Sequence, residues 1–292
     1  MKTPQLFFLL LISYFAIAQE NGIIFQENFE TGTIQEIVKS WSDSKNTSGM
    51  FLSEDVPKGS QGTRSLIMTH SQGNDVGGYL YKMFPEAYDS LFARFYVKFC
   101  ANHSSVHHFV HMGGYNPPTT WPQGGAGVKP TGKERFTTGI EPIGDNWSWD
   151  FYSYWMHMRG CARPGYFWGN IFNPQNPAPI NLDEWICVEF MMKINDPVDT
   201  YTGEQAFWIN GEKIHHLGGD FPDGYWIWDK FIPHSDSLPF EGFQWRNDEK
   251  LKLNFFWLLY YMTDGVMGKS DTIWFDDIVI STDYIGPDLF CK

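Results

Sequence analysis

The stretch from His103 to Arg163 gathers the groups most able to move protons or hold an anion. Five histidines fall there, His103, His107, His108, His111 and His157, with the closely spaced pair Tyr152 and Tyr154. Lys129, Lys133, Arg135, Arg159 and Arg163 oppose Glu134, Glu141, Asp145 and Asp150, so the segment is slightly basic inside a chain of formal net charge −13. A local reversal of charge among titratable groups marks a cleft for an anionic ligand. Strand periodicity then restricts which side chains act together. Alternate residues share a face, so Tyr152 and Tyr154 point the same way, with Asp150. By the same parity His107, Phe109 and His111 share one face and His108, Val110 and Met112 the other. The register between the two strands decides which set meets the tyrosines.

These residues must be positioned by strands. The chain is 18% aromatic and only 19% charged, with 28 Gly and 17 Pro. Such a composition predicts an all-β protein, in which surplus Trp and Tyr either stack on sugars or fill a thick core. Strand-like runs bounded by turn residues include Ile23–Asn28, Arg64–Thr69, Leu91–Cys100, Val106–Met112, Trp149–Met158, Trp185–Ile194, Gln205–Ile209, Leu251–Tyr261 and Thr272–Ser281. Asn210-Gly211 predicts a type I′ hairpin, because both central residues need positive φ. The Pro-rich stretches Asn173–Pro179 and Ile232–Phe240 read as surface loops. The expectation is one two-sheet antiparallel sandwich spanning residues 19–292, with the first and last strands in the same sheet.

The beginning of the chain reads as a secretory signal over residues 1–18. Lys2 is followed by the apolar run Leu6–Ile17 and by Ala16, Ile17 and Ala18 as an A-x-A cleavage pattern. The expected protein is therefore secreted, extracellular or periplasmic, without membrane insertion. An exported, acidic chain is a poor partner for nucleic acid. Export also permits disulfides among Cys100, Cys161, Cys187 and Cys291, whose spacing leaves all three pairings open and argues against zinc.

The run G-T-R-S-L at 62–66, F-Y-V-K-F at 95–99, E-W-I-C-V-E at 184–189, A-F-W-I-N-G at 206–211 and F-D-D-I-V-I-S at 275–281 resembles the concanavalin A-like jelly-roll superfamily of secreted carbohydrate-active proteins. A narrower likeness lies in the central segment. His108-Phe-Val-His111-Met-Gly113-Gly114, Tyr152-Ser-Tyr154 and the late run FFWLLYYMTDG resemble jelly-roll polysaccharide lyases of the alginate and glucuronan type. In those enzymes a basic Lys is expected beside the Gly-Gly, where this chain has histidines. The resemblance implies β-elimination next to a uronic acid, with an acidic polysaccharide as partner and no cofactor required. Elimination needs the C5 carboxylate neutralised, the C5 proton removed and the leaving oxygen protonated. Histidine and tyrosine suit these tasks. The expected catalytic set is Tyr154, Tyr152, His111 and His108, with His107, Lys129, Arg135, Arg159 and Trp121 binding substrate and no catalytic metal.

Two alternatives use the same groove: a lectin-like module without proton transfer, and a glycoside hydrolase drawing on Glu141, Asp150 or Glu189. The pair His215 and His216 has its rings on opposite faces, which disfavours a metal. A structural calcium is expected at the acidic edges Gln26, Glu27, Asn28 and Asp276, Asp277, as in related jelly rolls.

Overall fold

A computed structural model describes residues 22–73, 75–143, 147–263 and 266–287. The proposed signal segment and Cys291 lie outside them. Alternating apolar residues build two stacked sheets, as expected for a jelly-roll sandwich.

The eight-stranded sheet runs β13 (Glu212–Leu217), β12 (Glu204–Ile209), β11 (Ile186–Lys193), β6 (Ser90–Phe99), β18 (Ser270–Ser281), β4 (Ser65–Ser71) and β3 (Met50–Ser53), with β1 (Ile23–Glu27) also paired to β18. The first and last strands thus close one sheet, antiparallel to each other. The ten-stranded sheet runs β16 (Leu238–Pro239), β14 (Asp223–Ile227), β15 (Lys230–Pro233), β10 (Asn170–Phe172), β9 (Ser148–Tyr154), β8 (Arg135–Ile143), β7 (Val110–Tyr115), β17 (Leu253–Tyr261), β5 (Gly77–Tyr88) and β2 (Asp43–Lys45). Its pairing is antiparallel except at β10 and β15. The Ile232–Phe240 stretch, expected as loop, instead supplies the end of β15 and β16. Pro239 lies on the edge strand β16, and Pro233 ends β15 beyond its pairing with β10.

Asn210 and Gly211 both have positive φ, 50° and 83°, and join β12 to β13 as the hairpin expected. The core lies between the sheets. Phe109 packs 5.6 Å from Phe275 and 6.1 Å from Phe95 of the opposite sheet, and 6.0 Å from Trp149. Trp149, Trp155 and Trp245 are fully buried, so most of the aromatic surplus fills this interior. A polar link crosses it: Thr138 and Ser153 of the larger sheet both donate to Gln205 Oε1 of the smaller, at 2.9 and 3.1 Å. No disulfide joins the described cysteines Cys100, Cys161 and Cys187, so none of the three two-bond pairings left open by the sequence forms; Cys187 is buried within β11.

Candidate active site

The site grows from three adjacent strands of the larger sheet. Along β9, Trp149, Phe151 and Ser153 are fully or nearly fully buried toward the core, which turns Asp150, Tyr152 and Tyr154 to the other face. Their partners on β8 are Glu141, Gly139 and Thr137, and Gly139 also faces His111 of β7. His111 in turn pairs with Trp257 of β17, whose rings lie 5.7 Å apart.

His108 joins the same face, against the parity expected from the sequence. Phe109 and Val110 are both completely buried, so the alternation breaks between them. β7 begins only at Val110, and His108 is held before it by a two-way backbone bridge to Tyr261. Two residues, both turned to the core, therefore separate the His108 and His111 imidazoles, which converge on one carboxylate. The His108 ring stacks on Tyr261 and lies 4.9 Å from Tyr152.

That cavity has a volume of about 870 Å³ and is lined by Glu141, Asp150, Tyr152, His107, His108 and Trp257, among others. Glu141 is its electrostatic hub. Its Oε1 lies 2.9 Å from His108 Nδ1 and 3.2 Å from His111 Nε2. Burial pushes the Glu141 carboxyl upward, but the charge of His108 and hydrogen bonds from both rings reverse that and hold it at about 2. Asp150, directly opposite, is pushed well above the carboxylate range by burial and then by the Glu141 charge. Burial alone would lower His108, yet attraction to Glu141 leaves it raised. In His111, more deeply buried, desolvation wins and the imidazole is lowered. Burial, with Tyr154 and Glu141 nearby, raises the Tyr152 hydroxyl, so it keeps its proton at neutral pH.

The residues expected to bind or react divide into two groups. Tyr152, His107 and His108 line the cavity, and His111 sits buried just beneath it. Tyr154 is 7% exposed and reaches the cavity through the Tyr152 hydroxyl, 3.5 Å from its own. The Arg135 guanidinium covers the Tyr154 ring and donates to the carbonyls of Gly125 and Val128 at 2.9 and 2.5 Å, so it staples a loop and does not face the cavity. Lys129 lies over the Phe167 ring. Arg159 pairs with Glu241 and covers Trp226 in a separate cavity of about 730 Å³. Trp121, 58% exposed, is not among the lining residues.

Lys45, Trp168 and Tyr261 line the cavity without having been singled out in the sequence. Only Tyr261 carried a signal, as part of the FFWLLYYMTDG run. Glu189, a candidate for hydrolysis, lies on the other sheet and accepts from the backbone N–H groups of Ile285 and Gly286, both at 2.8 Å. His216 pairs with Glu204, and His215 is buried apart from it on the other side of β13.

The calcium expectation meets a mixed donor set. Glu27 spends its oxygens on Phe29 N–H and the Ser40 hydroxyl. Asp276 fits better: it is 1% exposed, and its Oδ2 accepts no hydrogen bond among the described residues. Burial and the neighbouring Asp277 push its carboxyl up to about 8, a strain that a bound cation would relieve.

No family model and no curated protein sequence matches this chain. Solved structures do match. The alginate lyase Aly36B superposes with a TM-score of 0.57 at 13% identity, over 88% of this chain and 95% of that one. The alginate lyase vAL-1 from Chlorella virus gives 0.57 at 12%, over 89% and 100%. The endo-β-1,4-glucuronan lyase from the fungus Trichoderma reesei gives 0.51 at 16%, over 89% and 96%. Two further Aly36B structures hold an alginate trisaccharide and an alginate tetrasaccharide. The chain has the jelly-roll fold of these polysaccharide lyases. No helix among its described residues is long and apolar enough to cross a membrane.

Proposed function

We propose that this protein is a secreted polysaccharide lyase that cleaves an acidic, uronate-containing polymer by β-elimination. The observation that carries the reading is the convergence of imidazoles and a proton-holding tyrosine on one open cavity of a lyase-type fold. Protonated His108, oriented by Glu141 and backed by the neutral imidazole of His111, receives the uronate carboxylate and so acidifies the C5 proton. The imidazole of His107 takes that proton. Tyr152, whose hydroxyl holds its proton firmly, delivers one to the departing glycosidic oxygen. Tyr154, in contact with Tyr152, positions and replenishes it. Trp168 and Trp257 offer apolar faces to sugar rings. Asp276 and Asp277 would hold a calcium ion that ties the closing strands and takes no part in catalysis.

One observation favours a second reading. Glu141 and Asp150 are opposed, buried carboxyls pushed in opposite directions, which is how a hydrolase separates its nucleophile from its acid. Both His108 and His111 engage Glu141, however, which blunts it as a nucleophile. Incubation with a panel of uronate polysaccharides separates the readings. The lyase yields the ultraviolet absorbance of an unsaturated product; reducing ends without that absorbance would establish hydrolysis, and binding without either product would establish a lectin-like module.

A further inference from the structure

Beneath the cavity three side-chain atoms of metal-ligating type converge on one point. Nδ1 of His108 and Nε2 of His111 both approach the same Oε1 of Glu141, at 2.9 and 3.2 Å, and all three atoms lie within 4.8 Å of one another. Divalent metals bond imidazole nitrogen and carboxylate oxygen at about 2.0–2.2 Å, so neighbouring ligands on one ion sit roughly 3.0–3.5 Å apart. Both contacts to Glu141 match that edge.

The remaining hydrogen bonds sharpen the point. Thr137 Oγ1 donates to the Met112 carbonyl at 3.2 Å, which leaves it to accept from His111 Nδ1–H at 3.3 Å. In that tautomer the Nε2 lone pair faces Glu141 and ligates a cation held between them; in the ion-free protein the other tautomer lets Nε2–H donate to Glu141. The Nδ1–H···Oγ contact is the kind of outer hydrogen bond that orients a metal-ligating imidazole.

The strands are shaped for this arrangement. A Cβ on Gly139 would lie 2.7 Å from His111 Nε2, so the ring can lie across the sheet toward Glu141 only above glycine. The break in alternation at Phe109–Val110 brings His108 to the same point. Asp150, buried across from Glu141, is a second carboxyl able to ionise beside a divalent charge.

We propose that His108 Nδ1, His111 Nε2 and Glu141 bind one divalent transition-metal ion, with its remaining coordination positions open to the cavity. Two imidazoles and one carboxylate favour ions such as Zn²⁺ or Co²⁺ over Ca²⁺ and Mg²⁺, which take oxygen ligands. Three protein ligands with an open position is the arrangement of a catalytic metal site. On the lyase reading, which this role presupposes, the open positions take the uronate carboxylate. The base is then His107, the cavity-lining imidazole outside the trio.

The test is Co²⁺ titration of the chelator-treated full protein, followed by calorimetry and visible d–d absorption, with Zn²⁺ as competitor and Ca²⁺ as control. One Co²⁺ per chain at micromolar affinity, displaced by Zn²⁺ and not by Ca²⁺, is expected. His111→Ala should abolish uptake, and Thr137→Val, which leaves all three ligands in place, should weaken it about 10–100-fold. Thr137→Val also serves should His111→Ala fail to fold. Absence of uptake at 100-fold molar excess, or equal uptake by His111→Ala, overturns the site. A protein that binds Co²⁺ yet yields no unsaturated product from any uronate polymer would keep the metal and lose the lyase. Unsaturated product after complete chelation, without Co²⁺ uptake, would do the reverse.

Discussion

The two sheets bury ionisable groups to opposite ends. In the eight-stranded sheet the buried pair Glu189 and Arg94 is turned toward the chain itself. Glu189 accepts two backbone N–H groups of the segment that follows β18, and Arg94 donates to the Gly286 and Asp277 carbonyls. In the ten-stranded sheet the buried carboxyls are turned toward a cavity: Glu141, Asp150 and Tyr152 share one face, with His108 beside them. Burial costs a charge its hydration in either place. In the first sheet backbone dipoles supply the compensation and the result is closure of the fold. In the second, compensation comes from other titratable groups, and the result is a set of shifted proton affinities facing solvent. Perturbed groups of the second kind are those expected at a reacting site.

The largest effect should come from breaking the cavity side of that contrast. Tyr152→Phe keeps the ring beside His108 but removes the hydroxyl. Turnover, followed by the absorbance of unsaturated product, should fall about 10²–10⁴-fold with little change in melting temperature. Tyr154→Phe should cost less, because its hydroxyl reaches the cavity only through Tyr152. If both variants retain full activity, proton transfer does not run through this pair.

The other sheet should respond in stability and leave catalysis alone. Glu189→Ala strands the N–H groups of Ile285 and Gly286 beside the buried Arg94, at a cost of roughly 3 kcal/mol. Denaturant unfolding would read that loss, while activity per folded molecule stays constant. A fall in activity matching that of Tyr152→Phe would erase the distinction between the sheets.

Much of the architecture was legible because its strands alternate. Trp149–Met158 and Gln205–Ile209 show the period plainly, and Asn210-Gly211 announced its turn. β5 and β8 were not, since GGYLYKMFPEAY and RFTTGIEPI carry glycine and proline that depress strand propensity. That omission mattered at the site. Gly139 weakens the strand signal of β8 and is also the residue that seats His111, so the hub residue Glu141 lay in the stretch hardest to recognise. The histidine parity failed for a related reason: a period of two cannot anticipate the break between Phe109 and Val110. Arg135 looked like a carboxylate clamp, because sequence alone does not reveal carbonyls folded back onto it by a later loop contact.

A smaller effect should follow calcium at the closing strands. Asp276 has a buried oxygen that accepts no hydrogen bond among the described residues, so an ion binding there would stabilise the native state by mass action, about 2.7 kcal/mol at one hundred times its Kd. Thermal melts with and without Ca²⁺ should differ by that order, and Asp276→Asn should abolish the difference. An unchanged melt in wild-type protein would remove calcium from this edge.

The smallest effect belongs to His215, a buried imidazole that serves neither chain closure nor the cavity. Burial, with His216 beside it, lowers it to about 3, and its Nε2 has no hydrogen-bond partner among the described residues. Between its unfolded value near 6.5 and about 3, the unfolded chain binds a proton that the native ring refuses. Stability contributed by this residue is therefore fully present above pH 6.5 and falls on acidification through that window, by at most about 1.4 kcal/mol per pH unit. His215→Phe removes the titration and fills the same apolar space beside Phe207. Its unfolding free energy should decline less steeply than that of the wild type from pH 6.5 to 5, with equal activity at pH 7.5. Parallel slopes would mean that acid sensitivity resides elsewhere, His103 being the next candidate because burial lowers it to about 4 against Tyr260.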